Sequence, residues 1–161
     1  TATNSCLPLE FNVNSLGVDL RPRSMGRVIV HLHGSPSNVK MRNLIDDYSS
    51  RIRSKVKIEI HNSKLSGEEY LAKLPASVIV LDEGGEEMTS IGFSKKFENW
   101  IISTEDVHLA IGPAEGFSKG HGKQSISLSK MTFPHELATV LLIEQLYRAH
   151  EISRGSSYHK S

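Results

Sequence analysis

The carboxyl-terminal third of this chain holds the side chains best suited to chemistry, and His135 stands first among them. It follows a polar strip, "SLSKMTF" (127–133), and falls in the first turn of a long apolar helix. There the positive end of the helix dipole disfavours a second ring proton, so a neutral, hydrogen-bonding imidazole is the expected form. Arg148 follows Glu144 by four residues, which lets the two pair across one helical turn. Beside Leu146 and Tyr147, its guanidinium can equally be held for a substrate phosphate or base. Tyr158, His159 and Lys160 join a ring that stacks, an imidazole and a cation, a set suited to RNA contact. A frayed terminus would read the same way.

A second chemical feature is the loop "IGPAEG" (111–116), where Gly112 and Gly116 flank Glu115. A missing Cβ lets a ligand approach the main chain, although a tight strand-to-helix turn asks for the same residues. Phosphate-loop readings fail on spacing. Pro113 and Ala114 break a G-x-G-x-x-G fingerprint, and the run from Gly116 to Lys123 is one residue too long for a Walker loop and closes on Gln124. No G-x-S-x-G elbow surrounds Ser127 or Ser129, so a hydrolase using Ser129 and His135 has little behind it. His31 and His33 share a strand face without a partner motif, and no H-E-x-x-H or cysteine-based set exists; satisfied or exposed histidines are expected, and no metal.

The elements that must position these residues alternate along the chain. "RVIVHLH" (27–33), "KVKIEIH" (55–61), "SVIVLD" (77–82), "VHLAIG" (107–112) and "SISLS" (125–129) read as strands. Between them, residues 39–53, 66–74 and the Phe93, Phe97, Trp100, Ile101 stripe read as helices, with Asn38 as an N-cap and Ser66 to Glu69 as a capping box. Glu83, Gly84 and Gly85 are expected to end the third strand, and Pro134 to pre-set φ at the start of a last helix over about 134–154. Such alternation predicts an α/β fold, a mostly parallel sheet with helices on both faces. Ligands then bind beyond the carboxyl ends of the strands, which singles out the loops at 81–85, 111–116 and 127–133. The last helix is apolar over well over half its circumference through Leu137, Val140, Leu141, Leu142, Ile143, Leu146 and Tyr147. A self-complementary dimer through this helix would cover the excess; burial inside one large core is the alternative.

A length of 161 residues makes one domain, placed at residues 27–161. The lone Cys6 can form no internal bridge, and a net charge of +1 gives no global pull toward nucleic acid or an anionic membrane. No apolar run approaches the roughly 20 residues that span a bilayer, so no membrane partner is expected. Residues 1–26 carry Ser, Asn, Arg21 and Arg23 but few acids, and read as an extension outside the core. That composition fits the end of a plastid or mitochondrial targeting sequence, with a disordered arm of a cytoplasmic protein as the alternative.

"VIVLDEGG", "LAIGPAEGFS", "SLSKMTFPHELATVLLIEQLYRAHEI" and "YHK", in this order, resemble the ribosomal large-subunit RNA methyltransferase H family of the SPOUT class. The resemblance spans about residues 27–160 and is most specific after Ser77. It implies an α/β fold with a carboxyl-terminal trefoil knot. It also implies a homodimer that moves a methyl group from S-adenosylmethionine to N3 of a pseudouridine in large-subunit rRNA, on the RNA or the assembled ribosome.

Carried over by position, Leu81, Gly112 and the run Leu128, Ser129, Lys130, Met131, Thr132, Phe133 are implied cofactor residues. His135, Arg148, Tyr158, His159 and Lys160 match positions near the target base, with the tail completing the other subunit's site. Pro113 stands where the family has its second glycine, which removes an amide from any contact made there. A non-catalytic RNA-binding or ribosome-associated module of the same fold is the alternative function.

Overall fold

The computed structural model describes residues 25–160, with a short antiparallel pair before them, β1 (Val13–Asn14) and β2 (Gly17–Val18). Cys6 and most of the expected extension over residues 1–26 lie outside the described residues. From Gly26 onward the chain is tied in: its amide donates to the Ser103 carbonyl, and a Cβ there would strike the Glu105 carbonyl.

Five strands form one sheet: β3 (Val28–His33), β4 (Val56–His61), β5 (Ile79–Glu87), β6 (Val107–Ala110) and β7 (Gln124–Ser127). Their order is β4-β3-β6-β5-β7, and every neighbouring pair is parallel. The crossovers carry α1 (Val39–Arg51), α2 (Gly67–Lys73), α3 (Ser90–Ile102) and, after β7, α4 (His135–Ser153). Period-two alternation sends Val28, Val30 and Leu32 to one face, where they pack with Phe93, Phe97, Leu142, Ile143 and Leu146 of α3 and α4. Tyr70 and Leu74, in and just after α2, cover Val80 and Ala110 on the other. Helices therefore lie on both faces, as the alternation predicts.

Local signals set the helix starts. Asn38 accepts from the Lys40 and Met41 amides at 3.0 and 3.2 Å, and the Ser66–Glu69 capping box closes in both directions. Thr89 caps α3 through the Gly92 amide at 3.0 Å. Pro134 is the N-cap of α4 with ψ 143°, one position earlier than the first-turn role expected of it, so His135 is the first helical residue.

Two expectations change. β5 does not stop at the glycines: Leu81 and Glu86 both pair with Ile126, so residues 82–85 bow out and the strand resumes to Glu87. Gly85 makes this possible, because a Cβ there would lie 2.7 Å from the Ile126 main chain. In α4, Leu142, Ile143 and Leu146 are wholly buried within one chain, each contributing about 1.5–3 kcal/mol of burial energy. The helix packs on α1 and α3, so much of the apolar excess that pointed to a second copy is covered internally, while Leu137, Leu141 and Tyr147 stay half-buried.

Candidate functional site

The carboxyl ends of β5, β6 and β7 meet at a cavity of about 340 Å³. Leu81, Gly112, Leu128, Ser129, Met131, Thr132, Phe133 and His135, all singled out in the sequence, line it together. Lys130 does not: its side chain is 83% exposed and reaches Glu87 at 3.9 Å. Ser129 and His135 share the cavity, yet among the described residues no hydrogen bond joins them; the Ser129 hydroxyl accepts from the Met131 amide at 3.0 Å instead. That geometry removes the activated serine that a hydrolase needs.

Long-range contacts shape the walls. The Tyr70 hydroxyl, wholly buried, donates to the Ile111 carbonyl at 2.8 Å and fixes the end of β6; burial pushes its phenol up, so it remains a donor. Phe117 stacks on Tyr70 at 6.1 Å and 8°, and closes over Gly112. Pro113 is buried, and its ring lies 3.6 Å from where a Cβ on Gly67 would be. Its carbonyl accepts from the Gly116 amide at 2.8 Å, so the proline builds the turn as a rigid wall. The Ser127 hydroxyl donates to the Ser129 carbonyl at 2.8 Å and arches the third loop.

Sequence spacing did not single out Phe117, Asp82 or His121. Asp82 accepts from the Gly84 amide at 3.0 Å and lies 3.3 Å from His121; the Gly84 hydrogen bond, aided by His121 and opposed by burial, holds its carboxyl below the ordinary range. The rim thus carries Asp82, Glu83 and Glu115 against Lys119, an acidic mouth. Behind it the Glu136 carboxylate, at the start of α4, accepts from the Ser37 and Asn38 amides. Burial raises the Glu136 carboxyl, but these hydrogen bonds outweigh it and bring it below its usual value.

Arg148, Tyr158 and His159 form a separate group. Arg148 donates to Glu144 at 2.6 Å, meets His159 Nδ1 at 3.2 Å and sits 4.9 Å over the Tyr158 ring, whose hydroxyl donates to Glu144 at 3.0 Å. The tail is therefore docked on its own α4, and Lys160 is exposed. His135 and Arg148 are thirteen positions apart along the helix, about 20 Å at 1.5 Å per residue. One chain does not bring its expected catalytic residues into one cleft.

Two further features lie away from the cavity. A groove of about 430 Å³ runs between α1 and the edge strand β4, with Ile45, Ile58 and Ile60 as its floor and Arg27, Arg42, Arg53 and Lys57 along its sides. It is the larger space, but it lies along an edge strand, off the loop rim where open parallel sheets bind ligands. On the α2 face of the sheet, His31 Nδ1 meets His61 Nε2 at 2.8 Å and His31 Nε2 meets His108 Nδ1 at 2.9 Å. Burial pushes His31 down to about 4, so at neutral pH this imidazole is uncharged and satisfied, as expected of it.

The fold and this loop-built cavity define a class. A family profile described as "Predicted SPOUT methyltransferase" matches residues 27–159, and the chain belongs to that family. Its relatives include proteins called ribosomal RNA large subunit methyltransferase H. The one from Anaeromyxobacter sp. (strain Fw109-5) is 38% identical over 72% of this chain and 88% of its own length. That of Coprothermobacter proteolyticus is 40% identical over 72% and 86%, and that of Prochlorococcus marinus 36% over 80% and 92%.

Proposed function

We propose that this chain methylates N3 of a pseudouridine in large-subunit ribosomal RNA, using S-adenosylmethionine and working as a homodimer. The observation that carries the reading is the single cavity lined by all three loops at the strand ends. Its volume, about 340 Å³, falls within the roughly 300–1,000 Å³ of small-molecule sites. Gly112 lines the cavity beneath Phe117, and the acidic rim of Asp82, Glu83 and Glu115 suits a cationic ligand. These residues fit the cofactor. When bound, it supplies an electrophilic methyl group on a sulfonium.

The chain's own work is then mainly positioning, for which fixed alignment is worth roughly 7–11 kcal/mol. The loops at 81–85, 111–116 and 127–133 hold and orient the cofactor and exclude water. His135, on the cavity wall, is one candidate to take the N3 proton, and His159, once released from Arg148, is the other; such a base contributes about a hundred- to ten-thousand-fold. Arg148 and Tyr158 serve the RNA side by charge and stacking. The basic flanks of the α1/β4 groove supply local positive charge for RNA phosphates that the net charge of +1 does not. The proposal includes the trefoil knot, on the ground of the family match over residues 27–159. It includes residence in a plastid or mitochondrion, supported by the acid-poor composition of residues 1–26. No helix of the described residues is long and apolar enough to cross a membrane.

The test is to incubate the protein with methyl-labelled cofactor and ribosomes lacking the modification, then map the labelled nucleoside. Label at N3 of one pseudouridine is the expected result. Salt-sensitive RNA binding with no label and no effect of cofactor on the melting temperature would replace this reading with the non-catalytic module.

A further inference from the structure

We propose a divalent-metal site of zinc type on the α2 face of the sheet, held by His31 and Glu59 with His61, and oriented by His108. The site follows from register. In the parallel pairing of β3 with β4, His31 stands beside Glu59 and His33 beside His61. On the other side of β3, Ile29 stands beside His108 of β6. Alternation puts His31, Glu59, His61 and His108 on one face of the sheet, so a ladder of imidazoles crosses three strands with a carboxylate at its end.

The geometry matches a metal's demands. His31 Nδ1, His61 Nε2 and a Glu59 carboxylate oxygen all lie within 4.8 Å of one another. The two nitrogens, 2.8 Å apart, now share one proton; around a tetrahedral zinc with bonds of about 2.0–2.1 Å they would stand about 3.3 Å apart. Replacing the proton by the ion therefore asks for a half-ångström spread. Glu59 is exposed and can rotate inward at little cost, which also leaves the ion a path from solvent and a fourth position for water. With Nδ1 on the metal, His31 keeps its proton on Nε2 and donates it to His108 Nδ1 at 2.9 Å. A ligating imidazole is usually held by such an outer hydrogen bond.

Two imidazoles and one carboxylate select a borderline ion such as zinc over magnesium or calcium, which prefer all-oxygen sites. A hydrogen bond between two neutral histidines would by itself explain the 2.8 Å contact. It would not explain why a third ligand type and an orienting partner converge on the same pair. The site lies on the opposite face from α4, and its occupancy is independent of methyl transfer.

The experiment uses the full chain with Cys6→Ser, which removes the one thiol, and titrates it with zinc by calorimetry and with cobalt by visible absorbance. One equivalent of zinc should bind, and cobalt should give the intense bands of a tetrahedral site. Glu59→Gln keeps the exposed side chain's shape and should weaken zinc at least tenfold, while His61→Ala should weaken it at least a hundredfold. His108→Ala should cost 10- to 100-fold. Absence of saturable zinc binding in the parent chain overturns the proposal. So does an affinity that Glu59→Gln and His61→Ala both leave within twofold of the parent, since the zinc would then sit on other histidines.

Discussion

Gly112→Ala tests whether the cavity wall is built by close packing at the end of β6. A Cβ at this position would lie 3.1 and 3.2 Å from Cδ2 and Cε2 of Phe117 and 3.3 Å from its amide nitrogen. Carbon atoms prefer about 3.5–4.0 Å, so ring and amide must retreat by a few tenths of an ångström. Phe117 is half-buried and stacked on the wholly buried Tyr70, so it yields toward solvent while disturbing that stack. Overpacking costs about 1–3 kcal/mol, and a ring with one open side belongs near 1 kcal/mol. The melting temperature should fall by roughly 2–4 °C. Gly112 and Phe117 both line the cavity, so affinity for S-adenosylhomocysteine should drop about fivefold to tenfold, the equivalent of roughly 1–1.4 kcal/mol. Gly120→Ala is the control: its φ of +77° brings backbone strain, but nothing lies within 4 Å of its Cβ and it does not line the cavity. Calorimetry and thermal melts on both variants decide the matter. Wild-type affinity and melting in Gly112→Ala, or an equal loss of affinity in Gly120→Ala, would refute the packing argument.

Arg148→Ala should leave cofactor affinity within twofold, because Arg148 lies outside the cavity, and on its proposed role at the RNA side should reduce methyl transfer by at least a hundredfold; full activity would remove it from the site. His150 supplies a pH dependence. Burial, with Lys55 adding, lowers its pKa below 6.5, so the unfolded chain binds the proton more readily than the folded one. Stability from this group is therefore complete above about pH 6.5 and declines as pH falls toward the folded value. His150→Phe should flatten the slope of unfolding free energy between about pH 5 and 7, measured by urea titration, and an unchanged slope would assign the dependence to His31 instead.

What the sequence disclosed and what it hid divide along range in the chain. The helix starts at Asn38 and Ser66 were legible because capping involves residues two or three apart. The loops at 81–85, 111–116 and 127–133 were legible as a group because parallel α/β connectivity sends every strand end to one rim. The continuation of β5 past Gly85 was not, since it depends on β7 forty residues later. Nor was Tyr70, which reaches Ile111 across 41 positions. The imidazole ladder shows the limit sharply. Period two put His31 and His33 on one face, but only the strand order reveals that Glu59, His61 and His108 stand beside them. Lys130 entered the cofactor run by resemblance, and only its side chain is seen to point away from the cavity, toward Glu87.

The separation along α4 turns the dimer proposal into a quantitative test. Within one chain His135 and Arg148 are about 20 Å apart, and the helix between them is rigid, so no side-chain rotation closes the gap. A two-fold axis near the middle of α4 would set His135 of each copy against Arg148 of the other, because an isologous contact pairs each position with its counterpart reciprocally. Mix a chain carrying Arg148→Ala with one carrying Gly112→Leu, a side chain large enough to obstruct the cofactor cavity. Each alone should be inactive. In a mixed dimer the Arg148→Ala chain keeps its cavity and receives an intact Arg148 from its partner, so one of its two sites is complete. Random exchange makes about half the dimers mixed, and methyl transfer should recover to about a quarter of the wild-type rate. Were both halves of the site supplied by one chain, the mixed dimer would have no complete site and mixing would restore nothing.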